Sequence, residues 1–404
     1  MKVLFTTRVL EHPAIGGPAL RVENSIKALS RVCDLFIVSR LSKSVIGQER
    51  AESFYKEYCR EFLYAPSARW SRNRYVRKLQ TEWHKAMRYQ DDERFIIDQV
   101  DEKGVDVLWC GFGNRSFELI ERIKAQRPLL KIVCDTDSVW SRFELRELPF
   151  ETDPKQRKKI QKDGYRTAAW ERKIVYLCEV TTAVSEVDAV YYRAIANDPQ
   201  RVMIFSNGID LKTYEAPHPF VAGFKKPCIY LAGSFFREDC PMHRAARWIV
   251  EKVFPTLQKA IPDIHFYIVG KGSDVICGKY NAPAITVTGK VSSVLPYLCH
   301  SDVALVPLQF ESGTRFKIME AGACKVPIVS TALGAEGIPV IHEQDILLAD
   351  NPEDFTRSII RLIRDKDLAT WLKNNCYELI RKKYSVEYLS TEAELILQKL
   401  GAMK

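Results

Sequence analysis

Short apolar runs alternate with amphipathic ones along the chain. Val3–Thr6 has strand length, a turn at Ile15–Gly17 follows, and an amphipathic stretch runs from Ala19 to Ser30. Leu35–Ser39 reads as the next strand. After a polar insert the alternation resumes with Val105–Cys110, a helix near Ser116–Gln126, Lys131–Cys134, Val180–Val184 and Val202–Phe205. A second series starts at Cys228–Leu231. It continues through a helix at Arg244–Ala260, then His265–Val269, Ile285–Thr288, Val303–Pro307, the helix Lys317–Ala323, Ile328–Ser330 and Ile346–Leu348, and closes with helical segments. Strand, crossover helix, strand predicts parallel pairing. Asn207–Lys226, rich in Gly, Pro and turn residues, reads as a linker between the two series. The expected organisation is two Rossmann-like α/β/α domains. The first covers residues 1–210, with a basic insert at about 56–103, and the second covers 227–383. A terminal helix over 384–404 is expected to cross back to the first domain. Ligands of such open sheets gather at the carboxyl ends of the strands.

Composition narrows the class. With 46% hydrophobic and 27% charged residues, whole-chain disorder and a simple coiled coil are excluded. No stretch approaches the roughly 20 apolar residues that span a bilayer. The segment from Met1 to Pro13 has no small-residue cleavage site, so it reads as a first strand and the expected location is cytoplasmic. The net charge of +9 is local: residues 60–90 hold eight basic side chains and two acidic ones, interleaved with Tyr64, Trp70, Tyr75, Trp83 and Tyr89. Lys155–Lys173 is a second basic stretch. Such mixtures suit lipid headgroups, phosphates or an acidic glycan, or form an ordinary solvated face. The expectation is a peripheral contact through residues 60–90 with an anionic membrane surface at the inner face of the cell membrane. No helix-turn-helix, zinc finger or RNP pattern is present, so no nucleic-acid partner is expected.

Eleven cysteines sit mostly inside apolar runs without a CxxC pair, which reads as reduced core thiols. The seven histidines form no HxxxH or HExxH spacing, so no metal is expected; His12, near the first glycine loop, is the one nearest to candidate chemistry.

The densest chemistry lies at residues 311–337, ESGTRFKIMEAGACKVPIVSTALGAEG. Ser312-Gly313-Thr314 is a small polar turn ahead of a helix, whose N-terminus attracts anions. Arg315 and Lys317 place two cations in that turn, against the dipole, which calls for an anion or full solvation. Glu320 follows one turn later, where a carboxylate suits a pair of sugar hydroxyls. A second glycine-bearing loop, Leu333-Gly334-Ala335-Glu336-Gly337, follows the strand Ile328–Ser330. A phosphate cradle and an acid for a ribose diol are the minimum equipment for a nucleotide diphosphate.

This segment resembles the retaining family 4 glycosyltransferases of GT-B fold, which carry a Glu-x7-Glu motif. Glu320 matches the second Glu, which holds the donor ribose. Ser312 stands in place of the first, and Glu311 is one position off. The run Gly313–Ala321 resembles a bacterial subgroup with "GGTRLKILEA", as do Val326–Thr331 and Gly334–Gly337. Val184-Ser185-Glu186 and Ser206–Asp210 resemble the family's "VSE…PNGID"; Gly16-Gly17 resembles its N-terminal glycine loop, and Leu231–Ser234 the strand and turn opening its donor domain. The resemblance implies a GT-B architecture, two Rossmann-like domains facing across a cleft. It implies a hexosyltransferase that moves a sugar from a nucleotide diphosphate sugar, by default a UDP-sugar, to a glycan or lipid-linked glycan acceptor. Retention of configuration, no metal or other cofactor, and a role in bacterial surface polysaccharide or glycoconjugate synthesis are implied with it. Donor contacts would fall on Gly16, Gly17, Gly233, Ser234, Arg237, Ser312, Gly313, Thr314, Arg315 and Glu320. Arg315 and Lys317 would stabilise the leaving diphosphate.

Asp135 and Asp137, in KIVCDTDS, follow a buried-type strand, and the subgroup has a "DvDS" run at this place. The pair reads as an Asp-x-Asp metal site, as polar contacts to donor sugar or acceptor in catalysis, or as a helix cap. Two other functions compete. Gly111-Phe112-Gly113-Asn114-Arg115-Ser116, with Asp135 nineteen residues past Ser116, approaches the dinucleotide fingerprint of an NAD-dependent oxidoreductase. The absent first Glu also fits a scaffold that kept the fold and lost turnover.

Overall fold

A computed structural model describes residues 1–41, 43, 45, 47–66 and 91–403. They form two compact units. The first comprises Met1–Asp137, Arg166–Ser206 and Leu389–Lys404; the second comprises Ser138–Tyr165 and Asn207–Tyr388. Residues 67–90, about half of the basic insert, lie outside the described residues.

The first unit is built on a seven-stranded sheet in the order β3-β2-β1-β4-β5-β6-β7. Its strands are β1 (Lys2–Thr7), β2 (Asp34–Ser39), β3 (Glu61–Tyr64), β4 (Val107–Gly111), β5 (Lys131–Asp135), β6 (Val180–Ala183) and β7 (Val202–Ile204). Every pairing is parallel, and Phe5 lies opposite Ile37 on one side and Trp109 on the other. All three are fully buried, as continuous apolar strands covered on both faces must be. β3 is an added strand: it lies at the start of the insert, where the sequence reading placed only basic and aromatic surface.

The second unit holds β8 (Cys228–Ala232), β9 (His265–Val269), β10 (Ile285–Val287), β11 (Val303–Val306), β12 (Ile328–Ser330) and β13 (Leu347–Leu348), again all parallel. Their order, β10-β9-β8-β11-β12-β13, reverses direction between β8 and β11. At that switch point adjacent crossovers leave on opposite faces and open a crevice at the carboxyl edge.

Several elements differ from expectation. The single helix expected at Arg244–Ala260 is Pro241–Trp248, a π-turn at Ile249–Val253 and Phe254–Ala260. Pro255 has no amide to donate to the preceding turn, and the widened turn accommodates it. The basic stretch at 155–173 lies in one helix, Pro154–Leu177, on which Lys155, Lys158, Lys159 and Lys162 are exposed. Asn207–Lys226 is not a free linker: it contains the helix Leu211–Glu215 and packs with the second unit. Within the first unit, the ammonium of Lys131 donates to the carbonyls of Leu400 and Met403, both at 2.7 Å, and ties down the end of the chain.

Candidate functional site

The loops at the carboxyl ends of β8 and β11 carry the second unit's candidate chemistry. After β11 the chain runs to the turn Ser312-Gly313-Thr314 and enters the helix Phe316–Ala323, one residue earlier than expected, with Arg315 as its cap. Gly313 has φ +78, a left-handed conformation that a side chain would strain. Its neighbours are buried. The Thr314 hydroxyl accepts from the Asn207 amide at 2.7 Å, so the SNGID segment supports the turn directly. Ser312 is 8% exposed, and its hydroxyl has no hydrogen-bond partner among the described residues.

Arg315, expected to stabilise a leaving diphosphate, is 5% exposed, and its Nη1 donates to the Ser312 carbonyl at 2.7 Å and to the Gly313 carbonyl. A guanidinium folded back on two carbonyls of its own turn fixes that turn's shape. Lys317 is partly exposed on the first turn of the helix. Burial pushes its ammonium below the usual lysine value, against the pull of Glu311 and Glu320.

Glu320 lies one helical turn on, partly buried. Burial raises its carboxyl above the ordinary range, although Lys317 and a hydrogen bond from the Tyr214 hydroxyl, at 3.2 Å to Oε1, both favour the charge. Tyr214 belongs to the short helix Leu211–Glu215, in the segment read as linker.

Sequence reading missed Arg146 altogether. Its Nη1 donates to the Glu311 carbonyl at 2.7 Å and to Glu336 Oε2 at 2.6 Å, and its Nη2 to Glu336 Oε1 at 2.8 Å. One guanidinium therefore joins the loop after β11 to the loop after β12. Burial works against charge on Glu336, but Arg146 outweighs it and, with Arg142 and Arg315, holds the carboxyl below its usual range. Arg146 arrives with Ser138–Tyr165, which is anchored on the second unit by aromatic packing: Phe150 and Phe143 stack on buried Phe310 at 5.4 and 6.4 Å. Its only sequence signal was a short aromatic-rich run, WSRFELRELPF, without strand or helix periodicity.

On the β8 side, Gly233 is partly buried and Ser234 exposed. Arg237 is exposed but paired, its Nη2 2.5 Å from Glu147 Oε1. The backbones here meet without room for a side chain: a Cβ on Gly270, whose φ is +125, would stand 2.1 Å from the Gly233 carbonyl oxygen.

The remaining candidates belong to the first unit. Gly16, at φ +86, caps the helix Gly17–Leu29 after β1. His12 lies near it, 3.1 Å from Glu23 and stacked on Phe54. Asp135, at 1% exposure, forms an ion pair with Arg21, and accepts from the Trp109 indole at 3.1 Å and the Thr182 hydroxyl at 3.0 Å. Arg21 in turn donates to the carbonyls of Phe205 and Ser206. A carboxylate so enclosed helps hold the core of the first unit together. Asp137 is partly exposed at the edge of this sheet, its amide donating to the Asn114 side chain at 3.0 Å.

Residues 226–365 match the family model Glycosyl transferases group 1. The chain is 26% identical over 175 residues to an uncharacterized glycosyltransferase of Methanocaldococcus jannaschii; the match covers 40% of this chain and 45% of that protein, so the chain spans about half the length of this relative. Among solved structures, sucrose-phosphate synthase of Thermosynechococcus elongatus superposes with TM-score 0.71 at 15% identity over the whole of both chains. Anabaena HepE in complex with UDP-glucose gives 0.67 at 10% identity, again over both whole chains. A mutant of Staphylococcus aureus TarM, in complex with Fondaparinux, alpha-GlcNAc-glycerol and UDP, gives 0.65 at 12% over both whole chains. At such identities the likeness is one of fold. The chain has the two-domain α/β GT-B fold, with the match to the glycosyl transferases group 1 model confined to its second unit.

Proposed function

We propose that this protein is a glycosyltransferase whose second unit binds a nucleotide diphosphate sugar, a UDP-sugar in the first instance. The observation that carries the reading is the turn Ser312–Thr314 at the carboxyl edge beside the β8/β11 switch point: a left-handed glycine and a buried hydroxyl without a partner, followed one helical turn later by Glu320. A buried hydroxyl left unsatisfied costs about 1–3 kcal/mol, which a phosphate oxygen accepting from it would recover. UDP in the HepE and TarM structures supports the choice of base.

In this reading negative charge grows on the leaving diphosphate as the sugar becomes oxocarbenium-like. Backbone N–H groups of the turn and the Lys317 ammonium stabilise it electrostatically, in place of a metal. Arg315 acts indirectly, by shaping the turn. Glu320 takes the ribose hydroxyls and fixes the nucleoside. The sugar passes with retention of configuration to a hydroxyl of a glycan or lipid-linked glycan, in bacterial surface polysaccharide or glycoconjugate synthesis. The acceptor binds the first unit, whose basic insert meets an anionic membrane surface.

The test is a donor screen: thermal unfolding with UDP, GDP and NAD compounds, followed by detection of released nucleotide diphosphate. UDP at 100 times its Kd raises unfolding stability by about 2.7 kcal/mol. Stabilisation by NAD alone would reject the proposal, and binding without turnover would favour the silent scaffold. Flotation with anionic vesicles tests the membrane contact; R72E/R74E should abolish it.

A further inference from the structure

Seven of the eleven cysteines are buried. Cys299 and Cys324 differ from them. Both are partly exposed, and their sulfurs stand 3.3 Å apart. Cys299 follows the short helix Leu295–Leu298, and Cys324 caps the helix Phe316–Ala323. The Cys324 amide donates to the Glu320 carbonyl at 3.0 Å, so this thiol is one turn from the proposed ribose-binding carboxylate on the same helix. Its sulfur also lies 3.9 Å from the carbonyl of Tyr214, the residue whose hydroxyl holds Glu320. Contact with Cys324 holds the Cys299 thiol below its ordinary value and raises that of Cys324, so Cys299 is the readier of the two to lose its proton.

We propose that Cys299 and Cys324 form an oxidation site which peroxides close to a disulfide, and that closure weakens nucleotide binding at Glu320. The second half rests on the nucleotide-sugar reading above. The Cys299 thiolate attacks the peroxide and the O–O bond breaks. Cys299 becomes a sulfenic acid, and the departing hydroxide takes up a proton as water. The Cys324 sulfur then attacks the sulfenic sulfur, the S–S bond forms, the S–O bond breaks, and the Cys324 proton leaves with the hydroxide as a second water. Two electrons pass from the two thiols to the peroxide. Bonded sulfurs are about 2.05 Å apart, so closure draws the two helix ends together by about an ångström. Displacements of that size at a binding group are costly, because a site works only within a narrow geometry.

The experiment treats the reduced full chain with hydrogen peroxide, maps cross-linked peptides without reductant, and measures UDP affinity before oxidation, after it, and after dithiothreitol. The expected result is a Cys299–Cys324 cross-link, about tenfold weaker UDP binding, and full recovery on reduction. C299S and C324S should each bind UDP as the reduced protein does and keep that affinity in peroxide. The proposal is overturned if no such cross-link forms, if it forms and affinity is unchanged, or if peroxide weakens binding equally in both variants. A reduced protein that cross-links normally but never bound UDP would overturn the nucleotide reading, and the coupling with it, while establishing the dithiol chemistry separately.

Discussion

Asp135 sits at the carboxyl end of β5, where a carboxylate commonly reaches a ligand, yet Arg21, Trp109 and Thr182 take up its oxygens. Removing one partner of a buried pair strands the other charge, at about 3–5 kcal/mol. D135N should therefore lower the unfolding stability of the first unit by that amount, read by denaturant titration; unchanged stability with lost transfer would return Asp135 to the chemistry. Arg146 and Glu336 are less buried, so their coupling is weaker. A double-mutant cycle with R146Q and E336Q should give about 1 kcal/mol of interaction energy in unfolding, and additive effects would show that the two loops are held by other means. Glu320 carries a pH signature. Its folded carboxyl lies above the unfolded value, so ionisation costs stability, and the cost appears as pH rises through the window just above the ordinary carboxylate range. E320Q removes that cost. The variant should melt above the wild type at pH 8, match it at pH 4, and bind UDP more weakly. A melting difference of the same size at both pH values would contradict the assignment.

At the scale of elements, the site depends on loops that pack backbone against backbone. Gly270 brings the end of β9 against Gly233 at the end of β8, and its φ of +125 excludes a side chain on conformational grounds as well. G270A should destabilise the second unit by more than about 2 kcal/mol and spoil the β8 loop. Full stability in a melting scan would show that the two loops part at little cost. The order of elements was legible in the periodicity, and most strands fall within a residue or two of where alternation places them. What was not legible follows from physics that periodicity does not report. The π-turn before Pro255 is a local repair to a missing amide. Glu61–Tyr64 joins the sheet edge because β2 offers it a partner, not because its own pattern demands it. Ser138–Tyr165 packs two aromatic rings, Phe143 and Phe150, on Phe310 in a loop far along the chain.

At the scale of the molecule, the chemistry falls into two sets. One lies at the edge of the first sheet, the other beside the β8/β11 switch of the second. Because the buried ion pair of Asp135 belongs to one sheet and the nucleotide turn to the other, D135N should leave UDP affinity unchanged in calorimetry while it lowers stability. The sequence by itself determined that the chain makes two parallel α/β sheets, and that a small polar turn stands ahead of a helix carrying Glu320 one turn on, the pattern from which the nucleotide proposal starts. Those features are local, set by side-chain period, glycine conformational freedom and spacing along one helix. Tertiary structure alone decided which charges remain for a ligand. Whether Arg315 turns outward or back on its own carbonyls, whether Asp135 meets water or Arg21, and that Arg146 spans two loops all depend on partners distant in sequence and on how far each group is removed from water.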